Sequence, residues 1–254
     1  MKEDKTYILW TGGWDSTFRL LQLAEKSITI QPLYVVDSSR AGRKNEMKAM
    51  EKIRNEIIAS NWNKATILEI KQYSTENIKR DEEIIQAYER IRSKYNIGSQ
   101  YCWLAELCKM LDIERVEVGF EFSDRSKIKD AIWSEGSIID DNSVSNGIKR
   151  INCEESSKDI QLLFKYYVFG LADVSKKDAE NISREKGWLD IMKYTWFCHM
   201  PIHGKPCGMC NPCKDAMNEG MEWRMPPISQ FRYRHSQSRI VSHIANLQRL
   251  IFGE

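Results

Sequence analysis

The chain has 254 residues, of which 42% are hydrophobic and 29% charged, and its formal net charge is +2. That length suits one large domain or two modest ones, and the composition is that of an ordinary globular protein. No apolar run approaches the roughly 20 residues that span a bilayer, and the near-neutral balance argues neither for nor against a nucleic-acid partner.

The charged start, MKEDKTYILW, leads straight into a strand and not into a signal peptide, so a cytoplasmic protein with no membrane partner is expected. Residues 7–10 read as a buried strand. The turn TGGWDST follows, and Phe18, Leu20, Leu21 and Ala24 then mark an amphipathic helix over 17–25. Residues 28–36, rich in β-branched side chains, form a second strand that ends at Asp37. Met47, Met50, Ile53 and Ile57 recur at helical spacing. A third strand is expected at 65–70, helices at 81–95 and 98–111, and a fourth strand at 114–120. Cys102 and Cys108 fall in the helical stripe of 98–111 and read as small buried hydrophobes. Alternating strands and helices predict an α/β fold, a doubly wound parallel sheet with helices on both faces.

From 134 to 157 the pattern is polar and aperiodic and predicts a long loop, a lid or a binding rim. Helices are expected at 158–170 and 175–186. A boundary near 155 would separate an α/β nucleotide-binding part, 1–155, from a helical, cysteine-bearing part, 156–254. In the basic tail, Arg232, Arg234, Arg239 and Arg249 alternate with aromatic and apolar residues. Ile240, Ile244, Leu247 and Ile251 suit a terminal helix docked on the domain or on a second subunit of a homodimer, and this is preferred over a nucleic-acid surface.

Two motifs carry chemistry. In TGGWDST, Gly12 and Gly13 let backbone approach a pyrophosphate, Thr11 and Ser16 offer hydroxyls, and the amides at the helix start, out to Thr17, favour an anion. The loop lacks the lysine of G-x-x-x-x-G-K-[ST] and is not G-x-G-x-x-G. It is similar, with Thr11 in place of serine, to the S-G-G-x-D-S loop of PP-loop ATP pyrophosphatases. Asp15 would then help hold the Mg2+ that accompanies ATP, Asp15 and Ser16 would serve the reaction, and Asp37 would contact the ribose or cap its own loop. The rival reading of the loop is a tight turn in which Asp15 or Ser16 caps the helix.

The second motif is CHMPIHGKPCGMCNPCKDA. Cys198, Cys207, Cys210 and Cys213 are spaced C-x8-C-x2-C-x2-C. Four soft thiolates in a closed site suit structural Zn2+, with an iron–sulfur cluster as the alternative. His199 and His203 are left outside a tetrahedron that the cysteines already complete.

Together the motifs resemble those of the 7-cyano-7-deazaguanine synthase family. YTWFC…GKPCGMCNPCKDA is similar to the family's T-W-x-C…G-K-P-C-G-x-C-x-x-C zinc element, and the likeness covers 11–17, 115–119 and 194–216. The resemblance implies an adenine-nucleotide α-hydrolase-like fold and cleavage of ATP to AMP and pyrophosphate. It also implies activation of 7-carboxy-7-deazaguanine as an acyl-adenylate that a nitrogen nucleophile attacks. The chain departs from the family where that pocket is lined. Ser99 and Gln100 stand near an expected arginine–asparagine pair, and GFEFSDRSK replaces a P-D-C-R segment, with Asp124 and Arg125 as its remnant. The departures favour a single activation and an amide on a protein amine, the activity ascribed to relatives in bacterial antiphage systems. The alternative is a synthase that makes the free nitrile from ammonia. A nucleotide-binding scaffold without turnover and a tRNA-modifying PP-loop enzyme are the other readings.

Overall fold

Side-chain alternation along the first two strands sets the layers. In β1 (Lys5–Leu9) and the residue after it, Ile8 and Trp10 are fully buried on one face and Leu9 is buried on the other. In β2 (Thr29–Val36), Ile30 and Tyr34 join the first set, and Leu33 and Val35 join the second. Strands that are apolar on both faces must be covered twice. On the Ile8 face lie α1 (Trp14–Ala24) and α2 (Arg43–Ala59). On the Leu9 face lie α3 (Glu82–Tyr95) and α4 (Gln100–Met110). The computed structural model describes residues 5–36, 41–122, 126–141 and 148–236. Asp37, Asp124, Arg125 and the tail beyond 236, with its expected terminal helix, lie outside the described residues.

The remaining elements are β3 (Thr66–Ile67), β4 (Lys71–Ser74), β5 (Val116–Val118), α5 (Lys127–Glu135), β6 (Ile138–Asp140), β7 (Lys149–Ile151), α6 (Lys158–Phe164), β8 (Tyr167–Phe169), α7 (Lys176–Glu185), α8 (Leu189–Met192), α9 (Asn211–Asn218) and α10 (Pro227–Arg234). The sheet runs β3-β2-β1-β5-β8-β7-β6, with β4 also paired to β2. Strands β1 to β5 and β8 pair in parallel, and β6 and β7 are antiparallel. The chain is thus α/β with a mostly parallel sheet. From β1 the order departs one way to β2 and the other way to β5, and ligands enter such sheets at the carboxyl ends of the strands where the order reverses. No helix among the described residues is long and apolar enough to cross a membrane.

Three expectations change in the tertiary structure. The third strand, expected at 65–70, is split into β3 and β4. Trp10 N donates to Leu33 O, while Leu68 N donates to Ile30 O, so the even-numbered backbone of β2 faces the third strand. Pro32 lies on that side and has no N–H to give. The ladder breaks there, and the side-chain amide of Gln31 bridges the gap by donating to Glu69 O at 2.8 Å. The helix expected at 158–170 ends at Phe164, and Tyr167–Phe169 forms β8 between β5 and β7. Three buried residues are too few for a period to be read, and sheet pairing decides their state. The segment 134–157, expected as a loop, supplies β6 and β7 at the sheet edge. Because β8 follows residue 155 and pairs with β5, the sheet runs across the expected boundary.

Beyond α8 a small separate core gathers Cys198, Cys207, Cys213, Ile202 and Met225. Gly208 has φ +81, and a Cβ there would overlap the Ser229 carbonyl. Only glycine lets this loop lie directly on α10.

Candidate functional site

The strand-to-helix turn is built as its residue types require. Gly12 has φ +68, and a Cβ on it would come within 2.8 Å of Met50 Cγ. Gly13 is the N-cap of α1, and no side chain caps the helix. The capping reading of Asp15 and Ser16 therefore does not describe this turn, and the first-turn amides have no intrahelical partner. Ser16 Oγ lies 3.4 Å from Thr11 Oγ1 and from the backbone N of Thr11, gathering both hydroxyls at the loop. Thr17 is placed differently. It is fully buried, and its hydroxyl accepts from Trp10 Nε1 at 3.0 Å, so it braces the turn from behind. At the end of β5, a Cβ on Gly119 would overlap the backbone of Ser16, so that strand abuts the start of α1.

Two cavities meet at this loop, sharing Thr11, Gly13, Trp14 and Asp15. One, of about 280 Å³, lies over the ends of β1, β2 and β5 and is mostly apolar, with Leu33, Val35, Trp103, Leu104 and Phe120 in its wall. Gln100 and Phe120, from the two stretches where the sequence departs from the synthase pattern, both line it. The other, of about 230 Å³, lies between α1 and the cysteine-bearing part, against Glu46, Lys176, Trp196, Phe197, Glu219 and Arg224. The described residues of 134–157 line neither.

Charge in the second cavity is shaped by burial. Desolvation pushes the half-buried Asp15 carboxyl up to about 6, Lys176 opposes the rise, and Glu121 adds to it. Burial opposes the charge of Lys176, yet Asp15 and a 2.7 Å bond to Glu219 hold its pKa above the ordinary value. Desolvation lowers Arg224 to about 10, which leaves it a cation at neutral pH. Its guanidinium lies 5.0 Å from the Trp14 ring centroid and 4.5 Å from that of Phe197, and it donates to Thr195 Oγ1 at 2.8 Å.

The four cysteines converge. The Sγ atoms of Cys198, Cys207, Cys210 and Cys213 all lie within 4.8 Å of one another, and neither His199 nor His203 belongs to the group. Separations of 3.9 Å (Cys207–Cys213), 3.8 Å (Cys198–Cys210) and 3.5 Å (Cys210–Cys213) match the roughly 3.8 Å edge of a tetrahedron with metal–sulfur bonds of about 2.3 Å. Backbone N–H groups already point at sulfur: Cys207 N donates to Cys198 Sγ at 3.1 Å, and Met209 N and Cys210 N donate to Cys207 Sγ at 3.3 and 3.2 Å. Such donors favour thiolates, and the donor set is close enough to hold a metal ion and compatible with zinc. Gly42 ties this element to α2: its N–H donates to His199 O at 3.1 Å, and a Cβ would come within 2.5 Å of Cys198 O.

Thr11, Gly13, Asp15 and Ser16 thus meet at one place, Gly12 supplies the turn beneath them, and Asp37 lies outside the described residues. Lys176 and Arg224 carried no site signal in the sequence, since a lysine at a helix start and an arginine in a polar stretch are ordinary, whereas Trp196 is the tryptophan of the T-W-x-C likeness. The chain matches no protein-family model and no curated protein.

Proposed function

We propose that the chain is an AMP-forming, ATP-dependent ligase of the PP-loop type that activates a carboxylate, 7-carboxy-7-deazaguanine or a close analogue, and transfers the acyl group to a nitrogen nucleophile. The uncapped start of α1, set between an apolar crevice and a cavity lined by Lys176 and Arg224 together with Asp15, Glu46, Asp215 and Glu219, carries this reading. The crevice is suited to a planar heteroaromatic base, and the helix amides to phosphate oxygens. Asp15, in the second cavity, has the hard-ligand chemistry that Mg2+ takes, and the ion would supply charge neutralisation on the phosphates.

In the activation step a carboxylate oxygen of the substrate bonds to the α-phosphorus of ATP, and the bond to the bridging oxygen breaks, releasing pyrophosphate. Donors at Thr11, Ser16 and the α1 amides stabilise the charge that develops on the leaving group. In transfer, the amine nitrogen bonds to the acyl carbon, AMP leaves, and a proton is lost from nitrogen. The product is an amide on a protein amine, in preference to a nitrile made from ammonia, because Gln100 and Phe120 stand in the wall where the synthase pattern has other residues. The zinc ion held by Cys198, Cys207, Cys210 and Cys213 is structural, as a closed four-thiolate site leaves no position for substrate.

The test supplies ATP, Mg2+ and 7-carboxy-7-deazaguanine and follows pyrophosphate. Release that depends on the acid supports the ligase, and no release with any candidate acid rejects it in favour of a scaffold. Adding ammonia decides the product: one 7-cyano-7-deazaguanine formed for every two pyrophosphates released assigns the synthase reaction.

A further inference from the structure

Buried donors without acceptors are few in folded proteins, and each one calls for an explanation. Among the described residues four buried side-chain atoms lack a hydrogen-bond partner, and two of them, Trp14 Nε1 and Arg224 Nε, belong to residues lining the same cavity. Trp14 is 5% exposed, and no acceptor among the described residues reaches its Nε1. Arg224 has no carboxylate partner among the described residues. Its guanidinium lies instead against the rings of Trp14 and Phe197; Nη2 donates to Thr195, and Nε is left without a partner for an incoming oxyanion. The third contributor is the start of α1, an 11-residue helix with no side-chain cap. Lys176 also lines the cavity, paired with Glu219 at 2.7 Å.

We propose that Arg224 and the Trp14 indole N–H form an anion site for the pyrophosphate moiety, delivered onto the glycine loop by the cysteine-bearing part. The cysteine element sets Arg224 in place from both sides. Met225 is buried in the core of Cys198, Cys207 and Cys213, and Thr195, which accepts from Arg224, lies three residues before Cys198. The second cavity then receives the polyphosphate end. This inference rests on the ATP reading for the identity of the anion, and its own evidence is two buried, unpartnered side-chain N–H groups and an uncapped helix start on one cavity.

The experiment measures binding of inorganic pyrophosphate with Mg2+, and separately of AMP, by titration calorimetry on the full chain. Wild type is compared with Arg224→Gln, Arg224→Lys and Trp14→Phe, and each variant's thermal melt is recorded. Arg224→Gln should weaken pyrophosphate at least tenfold, and Arg224→Lys should recover part of the loss. Trp14→Phe, which keeps an aromatic face but removes the indole N–H, should weaken it several-fold. AMP affinity should stay within twofold throughout. Pyrophosphate affinity unchanged in Trp14→Phe and in a folded Arg224 variant overturns this inference and leaves the ATP reading standing. Pyrophosphate binding that is sensitive to Arg224, in a protein that binds neither AMP nor ATP, upholds the anion site and removes the ATP reading. If Arg224→Gln fails to fold, Trp14→Phe decides alone.

Discussion

Trp196 donates its backbone N–H to the carbonyl oxygen of Gly12 at 2.8 Å. The bond joins the glycine loop at the carboxyl end of β1 to the segment that leads into Cys198, 184 positions further along the chain. Trp196 also donates through Nε1 to Cys198 O at 2.8 Å, so one residue reads both elements. The loop and the cysteine cluster are therefore mechanically one unit, and disturbing either should be felt at the other.

Gly12→Ala is expected to destabilise the protein. At φ +68 an L-residue costs about 1–2 kcal/mol, and the added Cβ also meets Met50. The urea midpoint should fall, and pyrophosphate release should fall with it as the Gly12 carbonyl shifts away from Trp196. Wild-type stability and turnover in this variant would show that the loop does not need the left-handed turn.

Asp15 should confer a pH dependence of definite sign. Its carboxyl titrates near 6 in the folded protein against 3.8 when unperturbed, so ionisation opposes folding. The penalty is absent below pH 4, grows through the window from 4 to 6, and is complete above it. Asp15→Asn should thus gain up to about 3 kcal/mol over wild type at pH 7.5 and little at pH 4. The same substitution should abolish Mg2+-dependent nucleotide binding, and wild-type binding should weaken as pH drops below 6. Denaturant melts at the two pH values, with calorimetry of Mg–ATP, decide it. A variant that is less stable at pH 7.5 and still binds Mg–ATP contradicts both halves.

Purified protein should carry one zinc ion per chain. Cys207→Ser should lose it and melt at a markedly lower temperature, because metal binding is folding free energy in such a site. Cys102→Ala, in the α4 stripe and away from the cluster, should keep the metal. Elemental analysis that returns iron, or zinc retained by Cys207→Ser, refutes the assignment.

Arg19 and Glu117 form a buried bidentate pair at 2.9 and 3.0 Å, each side chain 5% exposed, which fastens α1 to β5. Gly170 makes room for the guanidinium, which a Cβ there would overlap. Glu117→Gln should cost about 3–5 kcal/mol, since it strands a buried cation, whereas the double change Arg19→Met with Glu117→Leu should cost far less than either single removal. Urea denaturation of Glu117→Gln, Arg19→Met, Glu117→Leu and the double variant measures this, and additive losses would mean that the pair is not coupled.

Local pattern in the sequence determined the layers and the two motifs. Ile8 and Trp10 against Leu9, the stripe of Met50, Ile53 and Ile57, and the two-residue cysteine gaps each express a period or spacing that the backbone imposes wherever the chain goes. Tertiary structure decided what depends on a partner distant in the chain. Pro32 breaks the third strand only because of the side of β2 on which it falls. Tyr167–Phe169 is a strand only because β5 and β7 offer it hydrogen bonds. Thr17 turns to Trp10, although its place in the motif suggested a ligand contact. Arg224 is the clearest case. Nothing near it in sequence distinguishes it, and its position over Trp14 follows from a fold that carries the cysteine element back across the sheet to the start of the first helix. A side chain's reach is local, but the acceptor it lacks is defined by surfaces that come together only when the chain is folded.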